Sequence, residues 1–364
     1  MKTDLKSGQQ VASAASSYHS LVVSDVVRLT QDSVSVAFIV PEALRTTFSF
    51  APGQSVALRR VTDTVEHRRN YSIVGATREG FRVGVREVAG GHFSPWLVRD
   101  VRPGDSIDVF PPQGRFFIHP EDKGRHLCIA AGSGITPILA IASSVLSSGD
   151  GDVTLVYGNR TPASVMFAEE LEDLAARYQH RFTTLQTFSR QGRTPGESPF
   201  RLDAPGLQKA LGRLAPAIEY DHIWICGPFE MAVGARDLLL GNGVAPSAVR
   251  LELFSTDGAP VDTPPVGEEG HTGESTVVAT LGGQNNTYVQ SGDVTLLQGL
   301  EAARDDAPFS CRSGVCGTCR VLVRKGRVDM RENYALDPDE IEDGYVLACQ
   351  SYPADKAIQL DFDS

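Results

Sequence analysis

Four of the six cysteines in this 364-residue chain fall in a pattern that can hold metal. Cys311-x4-Cys316-x2-Cys319 sets three thiols in one short stretch and Cys349 arrives 30 positions later, so one loop can wrap a group that a distant strand end closes. Three chemistries compete for such a quartet: a 2Fe-2S cluster, a structural zinc site and a pair of disulfides. Structural zinc favours two separated Cys-x2-Cys knuckles, which are absent. Disulfides belong to exported chains, and the first twenty residues hold no apolar run of the length a secretory signal needs. The 2Fe-2S cluster ranks first. Gly314 and Gly317, with Ser310, Ser313 and Thr318, suit a loop whose amides and hydroxyls must approach inorganic sulfide closely. Of the remaining two, Cys128 reads as a small buried hydrophobe.

A second set of residues suits phosphate and flat rings. The run Cys128-Ile-Ala-Ala-Gly132-Ser133-Gly134-Ile-Thr136-Pro137 leads from an apolar strand through a glycine turn to a proline in the first turn of a helix, where its missing amide hydrogen costs nothing. A helix start of that kind offers free amides to a pyrophosphate, although a ligand-free Gly-Ser-Gly turn is also an ordinary way to join strand and helix. Asn159-Arg160, Ser189-Arg190 and Cys226-Gly227-Pro228-Phe-Glu-Met231 end three further apolar strands, and open α/β sheets bind ligands at such ends. Arg160 and Arg190 suit the extra phosphate of NADPH, whereas an acidic residue there would suit the ribose of NADH. Arg69-x-Tyr71-Ser72 supplies a cation, an aromatic face and a hydroxyl. Gly90-Gly91-His92-Phe93-Ser94 adds a glycine turn before a helix start, a place for a second pyrophosphate and hence for FAD more than FMN.

These groups need three kinds of scaffold, and the hydrophobic pattern supplies them. After a polar tail (residues 1–16), short alternating runs (VSVAFIV, SVALRRV, FRVGVREV, SIDVF) over 17–118, punctuated by Pro-Gly, predict an antiparallel β-barrel. Over 119–255 continuous apolar strands alternate with helical stretches at 165–177 and 229–240, which predicts a parallel sheet in an α/β domain. Residues 256–275 hold three prolines, four glycines and few apolar side chains, the composition of a linker. Beyond it, 276–364 predicts a hairpin, a short helix over 295–304, the cysteine loop and two strands. The apolar stretch Leu127–Leu146 is broken by Gly132, Gly134 and Pro137 and reads as a buried strand and helix, so no membrane span is expected. A net charge of −11 argues against nucleic acid as a partner. Six acids and no base between Glu332 and Asp343 make either a solvated face or a surface that steers a basic protein.

The stretch Phe309-Ser-Cys311-Arg-Ser-Gly-Val-Cys316-Gly-Thr-Cys319 resembles the plant-type ferredoxins almost residue for residue. The order Arg69-x-Tyr71-Ser72, Gly91-x-x-Ser94, Pro112-x-Gly114-x-Phe116, Gly132-x-Gly134-x-x-Pro137 and Cys226-Gly227-Pro228 resembles the ferredoxin-NADP reductase family. The resemblance implies a multidomain fold in which an FAD-binding barrel and an NADP-binding α/β domain precede a β-grasp α+β ferredoxin domain. It implies that Tyr71 stacks on the isoalloxazine, that Ser72 lies near its N5, and that Arg69 and Ser94 hold phosphates. It also implies that Cys226 lies near the nicotinamide, and that Glu252 and Phe254 are the flavin-proximal acid and aromatic; a chain that continues past Phe254 departs from stand-alone members of that family. Glu332–Glu340 and Gly344–Ser351 resemble the reductase components of bacterial phenylacetyl-CoA epoxidases, while ketosteroid hydroxylase reductases share the layout.

The expectation is therefore a cytoplasmic, NADPH-dependent oxidoreductase. It passes electrons through FAD and the cluster on Cys311, Cys316, Cys319 and Cys349 to a separate oxygenase, either the di-iron epoxidase component or a Rieske-type protein. Ser72, Cys226 and Glu252 are its expected catalytic residues. Rival readings are a redox-sensing iron-sulfur regulator and a nitric oxide dioxygenase; the latter needs a globin domain, for which the segment before residue 18 is too short. No catalytic triad, carboxylate pair or histidine metal spacing is visible, and the oligomeric state is not legible.

Overall fold

The computed structural model describes residues 18–62, 65–149, 151–191, 199–214, 216–254, 273–304, 306–336 and 338–364. The expected tail falls outside them, as does the expected linker up to residue 272. Glu274 and Ser275, which composition assigned to the linker, open a β-strand instead. The chain divides into two compact units, the first carrying the barrel and the α/β layer, the second the cysteine quartet.

The barrel comprises β1 (His19–Thr30), β2 (Ser33–Ile39), β3 (Ser55–Thr62), β4 (Val65–Ala76), β5 (Gly80–Arg86) and β6 (Ser106–Val109), closed in the order β1-β2-β5-β4-β3-β6. Period-two alternation turns one face of each strand inward. Val34, Val36 and Phe38 of β2 stand opposite Val85, Val83 and Phe81 of β5, and all six are buried. A single turn of helix, α1 (Ser94–Arg99), follows the glycine pair at 90–91.

In the same unit β7 (Gly124–Ala131), α2 (Ile135–Ser148), β8 (Gly151–Asn159), α3 (Ala168–Arg177), β9 (Phe182–Phe188), α4 (Ala204–Leu211), β10 (His222–Gly227), α5 (Phe229–Gly241) and β11 (Val249–Leu253) build a five-stranded sheet of order β11-β10-β7-β8-β9. Every pairing is parallel. With helices covering both faces, strands such as LCIA in β7 are fully buried, which is why they read as continuous apolar runs. The chain winds one way from β7 to β9 and then crosses to β10, so the ends of β7 and β10 flank the switch point where such sheets open a crevice. Gly84 of β5 marks the seam with the barrel, because a Cβ there would lie 2.5 Å from Thr136 Cγ2 of α2 and 2.9 Å from Phe167.

The second unit contains β12 (Glu274–Leu281), β13 (Gln284–Ser291), α6 (Leu296–Ala303), β14 (Arg320–Lys325), β15 (Val328–Met330), α7 (Pro338–Glu342), β16 (Tyr345–Leu347), β17 (Ser351–Pro353) and β18 (Ala357–Asp361). A mixed sheet β13-β12-β18-β14-β16 grasps α6, whose Leu296, Leu297 and Leu300 enter its core, and β15 pairs with β17 separately. Thr295 and Gln298 form a reciprocal capping box at the start of α6. Five strands follow the cysteine loop where the sequence predicted two. The extra ones are three residues long, too short to display an alternating pattern.

Candidate functional site

The glycine turn after β7 is fixed by its neighbours. A Cβ on Gly134 would stand 2.1 Å from the carbonyl oxygen of Cys226, so only glycine lets the start of α2 lie against the end of β10. Gly132 takes a left-handed φ of +57°, and its carbonyl accepts a 3.0 Å hydrogen bond from Tyr157 Oη. Thr136 Oγ1 donates to Ser133 O at 3.0 Å, and Pro137 sits in the first turn. Across the crevice, a Cβ on Gly227 would lie 2.3 Å from Met231 Cε, which holds the Gly227-Pro228 turn close against α5. The sheet ladder continues beyond the strands: Ser189 N donates to Asn159 O (2.9 Å) and Arg190 N to Arg160 O (3.0 Å). The two arginines thus share one rim. Arg160 is engaged there, 2.5 Å from Asp32 of the β1–β2 turn, whereas the exposed Arg190 has no ion-pair partner among the described residues.

One carboxylate joins the barrel to the sheet. Glu252 on β11 is the register partner of Cys226 on β10, and its Oε2 lies 4.0 Å from Cys226 Sγ. From β4, 180 residues earlier, Ser72 Oγ donates to the same oxygen at 3.2 Å. Burial pushes the Glu252 carboxyl up to about 8 against the pull of the Ser72 hydrogen bond, and burial together with Glu252 drives the Cys226 thiol well above its ordinary value. The three expected catalytic residues therefore meet where β4 passes the ends of β10 and β11, around a carboxyl whose hold on its proton is raised.

On the outer face of β4, Arg69 and Tyr71 stand two apart, and the Tyr71 ring lies 6.1 Å from that of Phe93. Burial raises the Tyr71 phenol far above its usual range, so it stays neutral. Arg69 donates to Arg68 O at 2.7 Å and has no ion-pair partner among the described residues. Ser94 Oγ accepts from Val88 N at 2.9 Å, which closes the Gly90–Ser94 turn, and His92 stacks obliquely near His67, 6.1 Å between rings. A cation, an aromatic face, a hydroxyl and a glycine turn thus line one side of the barrel, a set that fits a flavin dinucleotide. Phe254 is 40% exposed at the end of β11.

In the second unit the four thiols converge in a chain, Cys316 to Cys311 to Cys349 to Cys319. Cys311, accepting from Cys316 and Cys349, is pulled below an ordinary thiol by those hydrogen bonds, the direction that favours the ligand form. Among the described residues no group of three or more His, Cys, Asp or Glu closes around a single ion. Four thiols are the donor set of a 2Fe-2S cluster. Each sulfur also has a polar neighbour: Ser313 N with Cys311 (3.4 Å), Thr318 Oγ1 with Cys316 (3.2 Å), Cys349 N with Cys319 (3.5 Å) and Gln350 Nε2 with Cys349 (3.7 Å). The loop bends through left-handed residues at Arg312, Gly314 and Gly317. The donor set and the cradle fit a 2Fe-2S cluster.

Sequence reasoning missed Arg86, Asp32 and Thr187. Arg86 reaches from β5 over the nucleotide turn, where a Cβ on Gly132 would lie 3.1 Å from its Nη1, and it donates to Ser164 O. Asp32 lies 3.4 Å from Arg86 Nε, and hydrogen bonding from Thr30 and the charges of Arg86 and Arg160 hold its carboxyl down against burial. Thr187 Oγ1, near the end of β9, is buried without a hydrogen-bond partner among the described residues. Lone residues in strand patterns carry no signal in one sequence. With Arg28, Arg99, Arg160, Glu87 and Val98, Asp32 also lines a cleft of about 490 Å³.

Comparison with known proteins assigns the three domains. Residues 20–118 match the oxidoreductase FAD-binding domain, 128–237 the oxidoreductase NAD-binding domain, and 279–354 the 2Fe-2S iron-sulfur cluster binding domain. The chain is 36% identical over 351 residues to one of the subunits of the 1,2-phenylacetyl-CoA epoxidase of Escherichia coli, covering 95% of this chain and 98% of that one. It is 35% identical to the ferredoxin reductase component of 3-ketosteroid-9-alpha-monooxygenase from Mycobacterium tuberculosis, over 94% and 95% of the two chains. Its fold is that of phthalate dioxygenase reductase (TM-score 0.56, 22% identity, 95% and 98% covered). It also spans 43% of an intact self-sufficient cytochrome P450 monooxygenase (TM-score 0.70, 22% identity, 99% of this chain). Among the described residues no helix is long and apolar enough to cross a membrane. With three redox domains in one order and full-length relatives of one kind, the chain belongs to the family of FAD-, nicotinamide- and 2Fe-2S-binding reductases that feed electrons to oxygenases.

Proposed function

We propose that this reductase draws on NADPH and delivers electrons to the di-iron component of a phenylacetyl-CoA epoxidase. When bound, the flavin takes a hydride from the nicotinamide and releases single electrons, which the cluster carries outward. The protein supplies positions and electrostatics. Arg69 and the Gly91–Ser94 turn hold the flavin's phosphates and Tyr71 covers its ring, while Ser72 directs a hydroxyl at its edge. The amides of Gly132, Ser133 and Gly134 receive the nucleotide pyrophosphate, with Arg86 above them; Asn159, Ser189, Gly227, Pro228 and Met231 line its path. Glu252 holds a proton on its carboxyl, whose Oε2 accepts from Ser72 Oγ, and Cys226 closes the nicotinamide side. Cys311, Cys316, Cys319 and Cys349 hold the cluster.

The observation that carries the reductase chemistry is the single carboxyl of Glu252, shared by a barrel hydroxyl and a sheet thiol at 3.2 and 4.0 Å. NADPH is favoured by Arg190, exposed on the rim without an acid beside it in residues 189–191, while Arg160 is partly neutralised by Asp32. The epoxidase is favoured by the relative of 36% identity. The ketosteroid monooxygenase reductase, at 35%, supports a second reading in which the acceptor is that oxygenase. Reconstitution separates them: the purified protein is mixed with NADPH and either oxygenase, and substrate turnover is followed. Epoxide formation from phenylacetyl-CoA without steroid hydroxylation supports the first; the reverse sinks it. Faster turnover with NADH than with NADPH would overturn the cofactor assignment.

A further inference from the structure

Gln350 follows the fourth cysteine and ties it to the cluster loop. Its Nε2 donates to the backbone carbonyl of Arg312 at 2.8 Å and lies 3.7 Å from Cys349 Sγ. A primary amide carries two N–H bonds on one nitrogen, so both contacts can be made at once. Arg312 needs such a brace. It is a non-glycine residue at φ +58°, a conformation that persists only when its surroundings hold it. Its guanidinium is bound to Glu301 of α6 at 2.8 and 2.5 Å and lies 3.9 Å over the Phe309 ring. Its carbonyl is bound by Gln350. The side chain of Gln350 also packs on the loop, since a Cβ on Gly314, a residue at φ +76°, would come within 3.1 Å of Gln350 Cγ.

The polar neighbours of the other three sulfurs are backbone amides or a threonine hydroxyl inside the loop or in the turn between β16 and β17. Gln350 differs because it is a side chain that can be removed without altering the backbone. A hydrogen bond to a ligand sulfur favours the more negative, reduced cluster and so raises its potential. We infer that Gln350 is a positioning residue that tunes the cluster: one N–H of its carboxamide donates to Cys349 Sγ while the other pins the Arg312 peptide, and together they set the cluster's reduction potential. The inference rests on the assignment of Cys349 as a ligand.

The test is an EPR-monitored redox titration of the full-length holoprotein and of Gln350→Met, which keeps the length of the side chain and has no donor. The variant's cluster should become reduced only at more negative potential than the wild type, with the flavin couples unmoved and an altered g-tensor. Gln350→Glu, also without the N–H₂ group, should shift in the same direction. A potential at or above the wild-type value in whichever variant loads its cluster overturns the inference. So does failure of both variants to load, which would make Gln350 a folding residue only. If the ligand assignment itself is wrong, Cys349→Ser retains an unchanged wild-type EPR signal, an outcome distinct from either.

Discussion

Glu252 is the partly buried carboxyl that a barrel hydroxyl and a sheet thiol share. Its folded-state value of about 8 lies above the ordinary 4.5 because burial disfavours the charged form more than Ser72 relieves it. The stabilisation gained from holding the proton is fully present below 4.5 and is lost as pH rises through about 8. Glu252→Gln, a permanent mimic of the neutral form, should therefore flatten the loss of stability between pH 6 and 9 seen in chemical denaturation. It should also slow flavin reduction by NADPH about 100-fold, the scale of a lost general acid or base, and remove the inflection near pH 8 in stopped-flow traces. The rim arginines make a second comparison. Arg190→Ala should raise the KM for NADPH about 10-fold, a lost charge-assisted hydrogen bond of about 1.5 kcal/mol, and leave that for NADH unchanged. Arg160→Ala should do less, because Asp32 already occupies its guanidinium. Equal effects on both cofactors would place neither arginine at the extra phosphate.

Elements succeed or fail here by close approach. The start of α2 meets the end of β10 only because residue 134 has no Cβ. Gly134→Ala forces that methyl to 2.1 Å from Cys226 O, and the strain, on the order of 1–3 kcal/mol, should appear both as lower stability and as a raised nucleotide KM. At the opposite ends of the same strands, His126 is fully buried, stacked 4.8 Å from His222, and accepts a 3.1 Å hydrogen bond from Trp224 Nε1. Burial, with His222 adding to it, pushes its imidazole down to about 4. Neutral His126 thus contributes stability that is present above 6.5 and is lost as pH falls toward 4. His126→Gln, which still offers an acceptor to Trp224, should reduce the difference in denaturation midpoint between pH 7 and pH 5. The glycine turn was legible in the sequence because strand, glycines and proline fall in a row. The histidine stack was not, since one residue in each of two distant strands leaves no local pattern. The Gly-Ser-Gly turn, the strand ends and the cysteine loop were all readable as short motifs. Arg86 and Asp32 were not, because what makes them notable is a register set by barrel closure. Nor were β15, β16 and β17, whose three residues each are held by pairing partners far along the chain.

At the scale of the molecule, the proposed route runs from the unit with the nucleotide turn to the unit with the cysteine quartet, and its two halves can be cut apart chemically. Cys316→Ser should abolish cytochrome c reduction by NADPH, while ferricyanide, which takes electrons from reduced flavin, is still reduced at close to the wild-type rate. Loss of both activities would mean that the cluster is needed for the flavin unit to work at all. The exit unit carries 15 acids against 8 bases from Thr272 to Ser364. Not all of that charge faces a partner. Glu340 is buried and bound to Arg320 at 2.7 Å, so the acidic run contributes Asp339, Glu342 and Asp343 as exposed charges. If these steer an oxygenase with a basic docking face, association should slow as salt rises, since the Debye length contracts from about 10 Å at 0.1 M to about 3 Å at 1 M. Electron delivery to the oxygenase, followed by stopped flow from the reduced cluster, should therefore lose rate over that range in the wild type. A triple variant, Asp339→Asn, Glu342→Gln and Asp343→Asn, should start slower and respond less to salt. Equal salt dependence in the two proteins would assign the steering charge to another surface.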